Sequence, residues 1–452
     1  MKHDFSRRHF LAASGAALAG IWTPPASGAA GAVRFPRESS VGAAIRAGQP
    51  LRIAAAASLP IPAGGLDGVG DLRRRFVFEY YPWWGRDPFV HWNQWDREPP
   101  HDLAAQSVPL LGPYDSRDLA TLETHARWIN ETGVGAINLS WWGPGSYEDL
   151  ATHRVMDVMR DHDIRVAFHL ESYASDRGTR FADDALYILQ EYGEKRGWDA
   201  LLLLPDPRGG VGPVFKGFRT IVPPDYVDCH GRRLQVSDYT SDALWAEQIA
   251  RLRRAVSSQF DGLTLLADSL DWGRTRISGF DGVAIYDNFI PPAAYAGYAR
   301  EASDWDLVFS FNVNPGFDSI EPREPFPDCY APQPFHPPGP SVDWFDATAR
   351  ELAALRARER IRESLAATLA VQLDPSLANA RDGFFLVYLN SFNEWHEGHA
   401  FEPAKDRGML LPEELAFPYH NPVDGRYRID ELGEQLRPLL RPRLEAVPLP
   451  AG

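Results

Sequence analysis

Two glutamates three residues apart, Glu394 and Glu397, stand in the stretch "SFNEWHEGHAFEP" from Ser391 to Pro403. Directly before it runs "GFFLVYLN", which carries no charge. If the backbone turns helically here, side chains at i and i+3 share a face with Cβ atoms about 5–6 Å apart. Carboxyls about 5–5.5 Å apart suit a retaining glycosidase rather than an inverting one. Two close carboxylates also separate in pKa, leaving one protonated near neutral pH as an acid. On an arbitrary helix surface such a pair is merely solvated. Its place after the last apolar run is what points to catalysis.

A second concentration of chemistry lies upstream. Tyr80, Tyr81, Trp83, Trp84, Trp92 and Trp95 crowd around His91, interleaved with Pro82, Gly85 and Asn93. An aromatic wall offers flat apolar faces with polar handles, which suits the C–H faces of a sugar ring. In "FHLES", His169 and Glu171 alternate along a strand and so face the same way. They are expected to bond substrate hydroxyls or to form a buried network. A metal hydrolase built on this pair is the outlying alternative. "HEGH" at 396–399 lacks the zinc spacing, because its histidines are three apart instead of four. No metal and no cofactor are expected.

Such groups need a scaffold, and the chain supplies alternating strand and helix signals. Apolar or aromatic strand signals fall at 75–84, 135–142, 165–172, 212–222, 260–269, 280–288, 306–316 and 383–390. Helical periodicity falls at 116–133, 148–162, 181–195, 241–259 and 342–373, the last as one helix or two. Ser116 is the expected cap of the first helix and Gly133 its stop. Only about ten residues separate the strand signals at 260–269 and 280–288, short for a crossover helix, so a loop or single turn is expected there. Apolar strands alternating with helices imply parallel strands buried on both faces. Eight of them imply an α/β fold, a (β/α)8 TIM-type barrel. No Gly-rich phosphate loop follows the first strand, against an open doubly wound sheet. In such barrels the C-terminal strand ends build the active site. Here those ends read "EYYPWWG", "SWWGPGS", "HLESY", "YDN", "NVNPGFD" and "NSFNEWHEG".

Bulk properties narrow the partners. Sixty-one acidic residues against 46 basic ones give a net charge of −15, which argues against nucleic acid or an anionic membrane. The chain opens "MKHDFSRRHFLAASGAALAGIW", where Arg7 and Arg8 precede a short Ala/Gly-rich run. Residues 1–32 read as a twin-arginine export signal and 33–72 as a linker or irregular lead-in, so the domain at 73–445 is expected to work in the periplasm or outside the cell. No later segment has about eighteen consecutive apolar residues, so no membrane span is expected. Cys229 and Cys329 fit neither a zinc spacing nor a disulfide framework. They read as two lone thiols, with a single disulfide as the alternative.

In order along the chain, "EYYPWWG", "HWNQW", "LGPYDSRD", "SWWGPGSYED", "FHLESY", "FDGVAIYDN" and "SFNEWHEG…FEP" resemble glycoside hydrolase family 99, the endo-α-mannosidases and endo-α-1,2-mannanases. The likeness runs from about Arg75 to Pro403. It implies a (β/α)8 barrel and a retaining, metal-independent glycosidase acting on an oligo- or polysaccharide. Glu394 would be the base that deprotonates the substrate's own 2-hydroxyl, and Glu397 would protonate the leaving oxygen. Tyr80, Trp142, Glu171 and Tyr286 would line the sugar subsites. Tyr81, Trp84, His91, Trp92, His169, Asn393 and Trp395 complete the candidate binding set. The sequence departs from the family pattern after "HEG", where His399-Ala400-Phe401 replaces the usual Thr-Gln-Ile, and at Gln94 in "HWNQW". The segment from Trp198 to Arg233 aligns poorly. A glycan-binding protein of the same fold without turnover is the alternative from a different class.

Overall fold

A computed structural model of the chain describes residues 69–228, 231–318 and 343–444. The export signal at 1–32, most of the lead-in at 33–72, Cys229 and Cys329 lie outside the described residues.

Eight parallel strands form the barrel. They are β1 (Phe76–Tyr80), β2 (Ala136–Trp141), β3 (Arg165–Leu170), β4 (Val211–Gly217), β5 (Thr264–Ala267), β6 (Gly282–Ala284), β7 (Val308–Ser310) and β8 (Val387–Leu389). Each of β1–β7 pairs with its sequence neighbour, and β8 returns to β1, with Phe76 opposite Val387. The last seam closes just past β7. There the Val313 N–H donates to Tyr388 O at 2.9 Å and the Asn390 N–H donates to Val313 O at 2.8 Å. All eight strand expectations thus correspond to barrel strands, most shorter than the apolar run that announced them.

The helices are α1 (Leu119–Glu131), α2 (Tyr147–Asp161), α3 (Arg177–Ile188), α4 (Asp242–Val256), α5 (Trp272–Ile277), α6 (Tyr295–Asp304), α7 (Ala347–Gln372), α8 (Ala378–Arg381) and α9 (Tyr427–Leu444). The short connection between β5 and β6 holds α5, a helix of six residues. The 342–373 signal is one helix. The cap of α1 is Asp118, not Ser116: the Asp118 side chain accepts from the Thr121 N–H at 3.1 Å. Ser116 is buried instead, its N–H given to Trp84 O. Gly133 does end the turn after α1, at φ +83°, where any Cβ would also strike Leu440. Among the described residues no helix is long and apolar enough to cross a membrane.

Strand alternation sorts the side chains into two cores. Phe76, Phe78 and Tyr80 of β1, Ile137 and Leu139 of β2, and Val166 and Phe168 of β3 face outward and pack against the helices. Val77, Ala136, Ala167, Val214, Leu266, Ala284, Val308 and Tyr388 fill the barrel interior. Continuing the inward register one step toward the C-terminal mouth reaches Glu79, Asn138, His169 and Lys216. The barrel therefore turns from apolar filling to buried charge at the level where its site begins.

Candidate active site

The floor of the site is an ion cluster. Lys216 Nζ donates to Glu79 Oε1 at 2.5 Å, and Asn138 Nδ2 donates to Glu79 Oε2 at 2.9 Å. His169 Nδ1 lies 3.2 Å from that second oxygen. Burial alone would push the Glu79 carboxyl up, but the charges and hydrogen bonds of Lys216 and His169 hold it down at about 2. Lys216 Nζ also sits 4.7 Å from the Tyr388 ring centre and 5.4 Å from that of Tyr286. The sequence offered His169 but not Glu79 or Lys216, each a single charge inside an apolar strand signal.

One layer higher, Ser140 Oγ donates to Glu171 Oε1 at 2.7 Å and accepts from Trp142 Nε1 at 3.0 Å. His169 and Glu171 do share the barrel interior, with Nδ1 and Oε1 3.9 Å apart. Tyr81 is buried within the fields of Glu79, Glu171 and Glu394, and its hydroxyl is hydrogen-bonded with that of Tyr286; burial first, then those charges, raises its ionisation well above the usual phenol range.

The paired glutamates come from the loop after β8. Residues 395–398 form a turn rather than a helix. Gly398 makes it possible: its φ is +63°, and a Cβ there would lie 2.2 Å from the Asp318 carbonyl. Glu394 is fully buried and Glu397 nearly so. The Glu394 N–H donates to Ser391 Oγ at 2.8 Å, and its carboxylate Oε1 accepts from the His396 N–H at 2.9 Å. Glu397 Oε2 accepts from the Tyr286 hydroxyl at 2.8 Å and lies 2.8 Å from His399 Nε2. Tyr286 reaches this position from just beyond β6. Its neighbour Asp287 is pushed up to about 6, by burial above all and then by the charges of Asp268 and Glu397.

Asn393 fastens the loop to β1. Its side-chain oxygen accepts from the Tyr81 N–H at 2.7 Å, and its amide donates to Tyr81 O and to the Tyr114 hydroxyl. Trp395 Nε1 donates to Glu402 Oε2 at 2.8 Å. The Tyr114 hydroxyl donates to the same oxygen, and His125 of α1 approaches the other at 3.2 Å. Glu402 thus ties the loop after β8 to the helical layer, a role its place in "HAFEP" did not reveal.

The aromatic wall divides into two sets. Trp83 stacks on His91 with centres 4.7 Å apart and on His396 at 5.9 Å, and Trp142 tilts against it at 6.0 Å. Trp84 and Trp92 stack at 4.0 Å behind them, fully buried, with Trp84 Nε1 donating to Asn393 O and Trp92 Nε1 to Tyr114 O. Tyr80 is placed differently from the rest of the candidate set. It lies on the outward side of β1, its hydroxyl 2.9 Å from His125 Nδ1 and its ring stacked on Phe392. Strand alternation turns it toward α1 and Tyr81 toward the interior, so Tyr80 is part of the scaffold. Among the described residues no group of three or more His, Cys, Asp or Glu has the arrangement of a metal site.

Known proteins are similar to this chain. The family model described as glycosyl hydrolase family 99 matches residues 74–200. The mouse glycoprotein endo-alpha-1,2-mannosidase is 25% identical over 376 residues, which is 76% of this chain and 71% of that protein. A zebrafish glycoprotein endo-alpha-1,2-mannosidase-like protein is 25% identical over 383 residues, 76% of this chain and 74% of that one. Two solved structures of the GH99 endo-alpha-mannosidase from Bacteroides thetaiotaomicron share the fold. Their TM-scores are 0.56 and 0.55 at 19% and 18% identity, over 82% of this chain and 99% and 98% of theirs. With an eight-stranded barrel whose C-terminal mouth gathers these carboxylates and aromatics, the chain carries a glycosyl hydrolase family 99 match over residues 74–200 and is a glycoside hydrolase.

Proposed function

We propose that the protein hydrolyses α-mannoside linkages inside a mannose-containing glycan, with Glu394 as base and Glu397 as acid. The observation that carries this reading is the asymmetric dressing of two buried carboxylates on one loop. Glu397 Oε2 takes the Tyr286 hydroxyl and lies 2.8 Å from His399 Nε2, whereas Glu394 Oε1 takes the His396 backbone N–H, with the His396 ring nitrogen farther off at 3.7 Å. Different surroundings are what give two like groups different protonation roles. The likeness to the mouse glycoprotein endo-alpha-1,2-mannosidase supports the substrate class.

In the proposed reaction Glu394 accepts the proton of the substrate's 2-hydroxyl. That oxygen attacks the anomeric carbon from the face opposite the departing group. As the new C–O bond forms, the glycosidic C–O bond breaks. Its electron pair leaves on the departing oxygen, which takes the proton of Glu397. A 1,2-anhydro sugar results. Glu397, now a carboxylate, takes a proton from water, the water oxygen opens the strained ring at the anomeric carbon, and Glu394 returns its proton to the 2-oxygen. Two inversions give net retention.

The test is an assay on α-1,2-linked mannan and related glycans with wild type, Glu397→Gln and Glu394→Gln. General acid–base groups contribute about 10²–10⁴-fold, so both variants lose activity on natural glycan by that order. A substrate with a good leaving group needs less protonation and restores Glu397→Gln more than Glu394→Gln. Binding without turnover by the wild type would instead make the protein a glycan-binding member of the fold, and equal losses on both substrates would overturn the division of roles.

A further inference from the structure

We infer that His399 is a positioning residue that fixes which oxygen of Glu397 carries the acid proton, an inference that rests on the proposed role of Glu397. Ser391 Oγ already accepts from the Glu394 N–H at 2.8 Å. A serine has one O–H to give, and His399 Nδ1 lies 3.1 Å away. With Nδ1 accepting, the neutral ring carries its proton on Nε2, the atom 2.8 Å from Glu397 Oε2. This tautomer is assigned from the donor inventory. The Tyr286 hydroxyl donates to the same oxygen at 2.8 Å. Two donors on Oε2 direct the carboxyl proton to Oε1. When that proton departs, the new negative charge on the carboxylate meets both donors already in place, without reorganisation.

The result is one bonded line, from the Glu394 backbone through Ser391 and His399 to the Glu397 carboxylate. It joins the base to the acid across the turn. His399 is fully buried, so water does not take over either bond. The titratable and charged groups around it are Glu397 and Tyr286 at contact, Asp287 beyond Glu397, Asp318 behind Gly398, and Arg428. The Arg428 guanidinium donates to Gly398 O and Ala400 O on either side of the histidine. Neither the failed zinc spacing of "HEGH" nor the paired glutamates accounts for an imidazole here.

The experiment compares wild type, His399→Ala, His399→Gln and Ser391→Ala on α-mannosides of graded leaving-group acidity. A hydrogen bond to a charged group lost from the acid costs about tenfold to hundredfold on the poorest leaving group. His399→Ala is expected to show that loss in kcat with little change in KM, shrinking as the leaving group improves. His399→Gln returns an N–H donor and recovers most of the rate. Ser391→Ala releases the tautomer and falls between. Equal losses on every leaving group, or a glutamine variant as slow as alanine, would overturn the inference. Nitrogen NMR of His399 gives a readout besides activity. Nδ1 is expected to be unprotonated in the wild type and partly protonated in Ser391→Ala, and a protonated Nδ1 in the neutral wild-type ring sinks the assignment. A wild type that cleaves no α-mannoside overturns the proposed function instead, while the ring-nitrogen signals still decide the tautomer.

Discussion

Lys216 Nζ and Glu79 Oε1 lie 2.5 Å apart at the centre of the barrel, where neither side chain keeps more than 1% of its surface exposed. Removing two charges from water costs several kcal/mol per ion, which only close geometry and further hydrogen bonds offset. Asn138 supplies such a bond to the carboxylate, His169 Nδ1 lies 3.2 Å from it, and the faces of Tyr388 and Tyr286 lie against the ammonium. Lys216 thus connects the floor to Glu397, because the ring of Tyr286 above it carries the hydroxyl that donates to Glu397 Oε2.

Breaking this pair one-sidedly leaves a buried charge. Lys216→Met is expected to lose about 3–5 kcal/mol of stability, and Lys216→Met with Glu79→Gln to lose clearly less. The sign with pH follows from Glu79, whose folded value of about 2 lies below the ordinary 4.5. Its contribution is complete above pH 4.5 and fades as pH falls toward 2. Denaturant unfolding of the wild type and the double variant across that window checks this. The gap between them closes as the solution is acidified, and a gap independent of pH would contradict the pairing.

Asp287 titrates with the opposite sign. Its carboxyl rises from 3.8 to about 6, so the fold favours its neutral form. The stability tied to it is whole below pH 3.8 and is lost as pH rises through about 6. Asp287→Asn never ionises and keeps an acceptor for the Phe289 N–H, which now bonds Oδ1 at 2.7 Å. The variant is expected to match the wild type near pH 4 and to exceed it above pH 6, by a few kcal/mol at most. Thermal unfolding at the two pH values measures it. A variant less stable than wild type at pH 8 would mean that the Asp287 charge is stabilising there.

The barrel was legible because its strands are buried on both faces and so appear as short apolar runs, "GAINLSWW" and "GFFLVYLN" among them. The interior charges were not, since Glu79 in "RFVFEYY" and Lys216 in "GPVFKGF" look like ordinary strand polarity until the register shows four strands aiming their polar residues at one point. Helix α6 was missed for want of a strong apolar stripe. Helix α9 was hidden by Pro438, although Ile429, Leu432, Leu436 and Leu440 repeat at three to four and are all buried. Spacing, together with the place after the last apolar run, singled out Glu394 and Glu397 as candidates, yet it implied a helical turn where the chain uses a glycine-dependent one. Their partners Tyr286, Ser391 and Glu402 come together only through the closing of the barrel.

The proposed use of the substrate's 2-hydroxyl gives the sharpest test of mechanism. A retaining enzyme of the commoner kind uses one carboxylate as nucleophile and forms a glycosyl ester. Internal attack requires the 2-hydroxyl to lie trans to the departing group, as in an α-mannoside. In an α-glucoside the two are cis, so no reaction by this route is expected. A 2-deoxy α-mannoside keeps most contacts with the aromatic wall but lacks the internal nucleophile. It is therefore expected to bind, to compete with substrate, and not to turn over. Competition and turnover assays on the same preparation separate these outcomes. Hydrolysis of the 2-deoxy compound near the parent rate, or a sugar trapped covalently on Glu394 and seen by mass spectrometry, would make Glu394 an ordinary nucleophile. The contact between Glu397 and Tyr286 would then still serve an acid, because both routes need the leaving oxygen protonated.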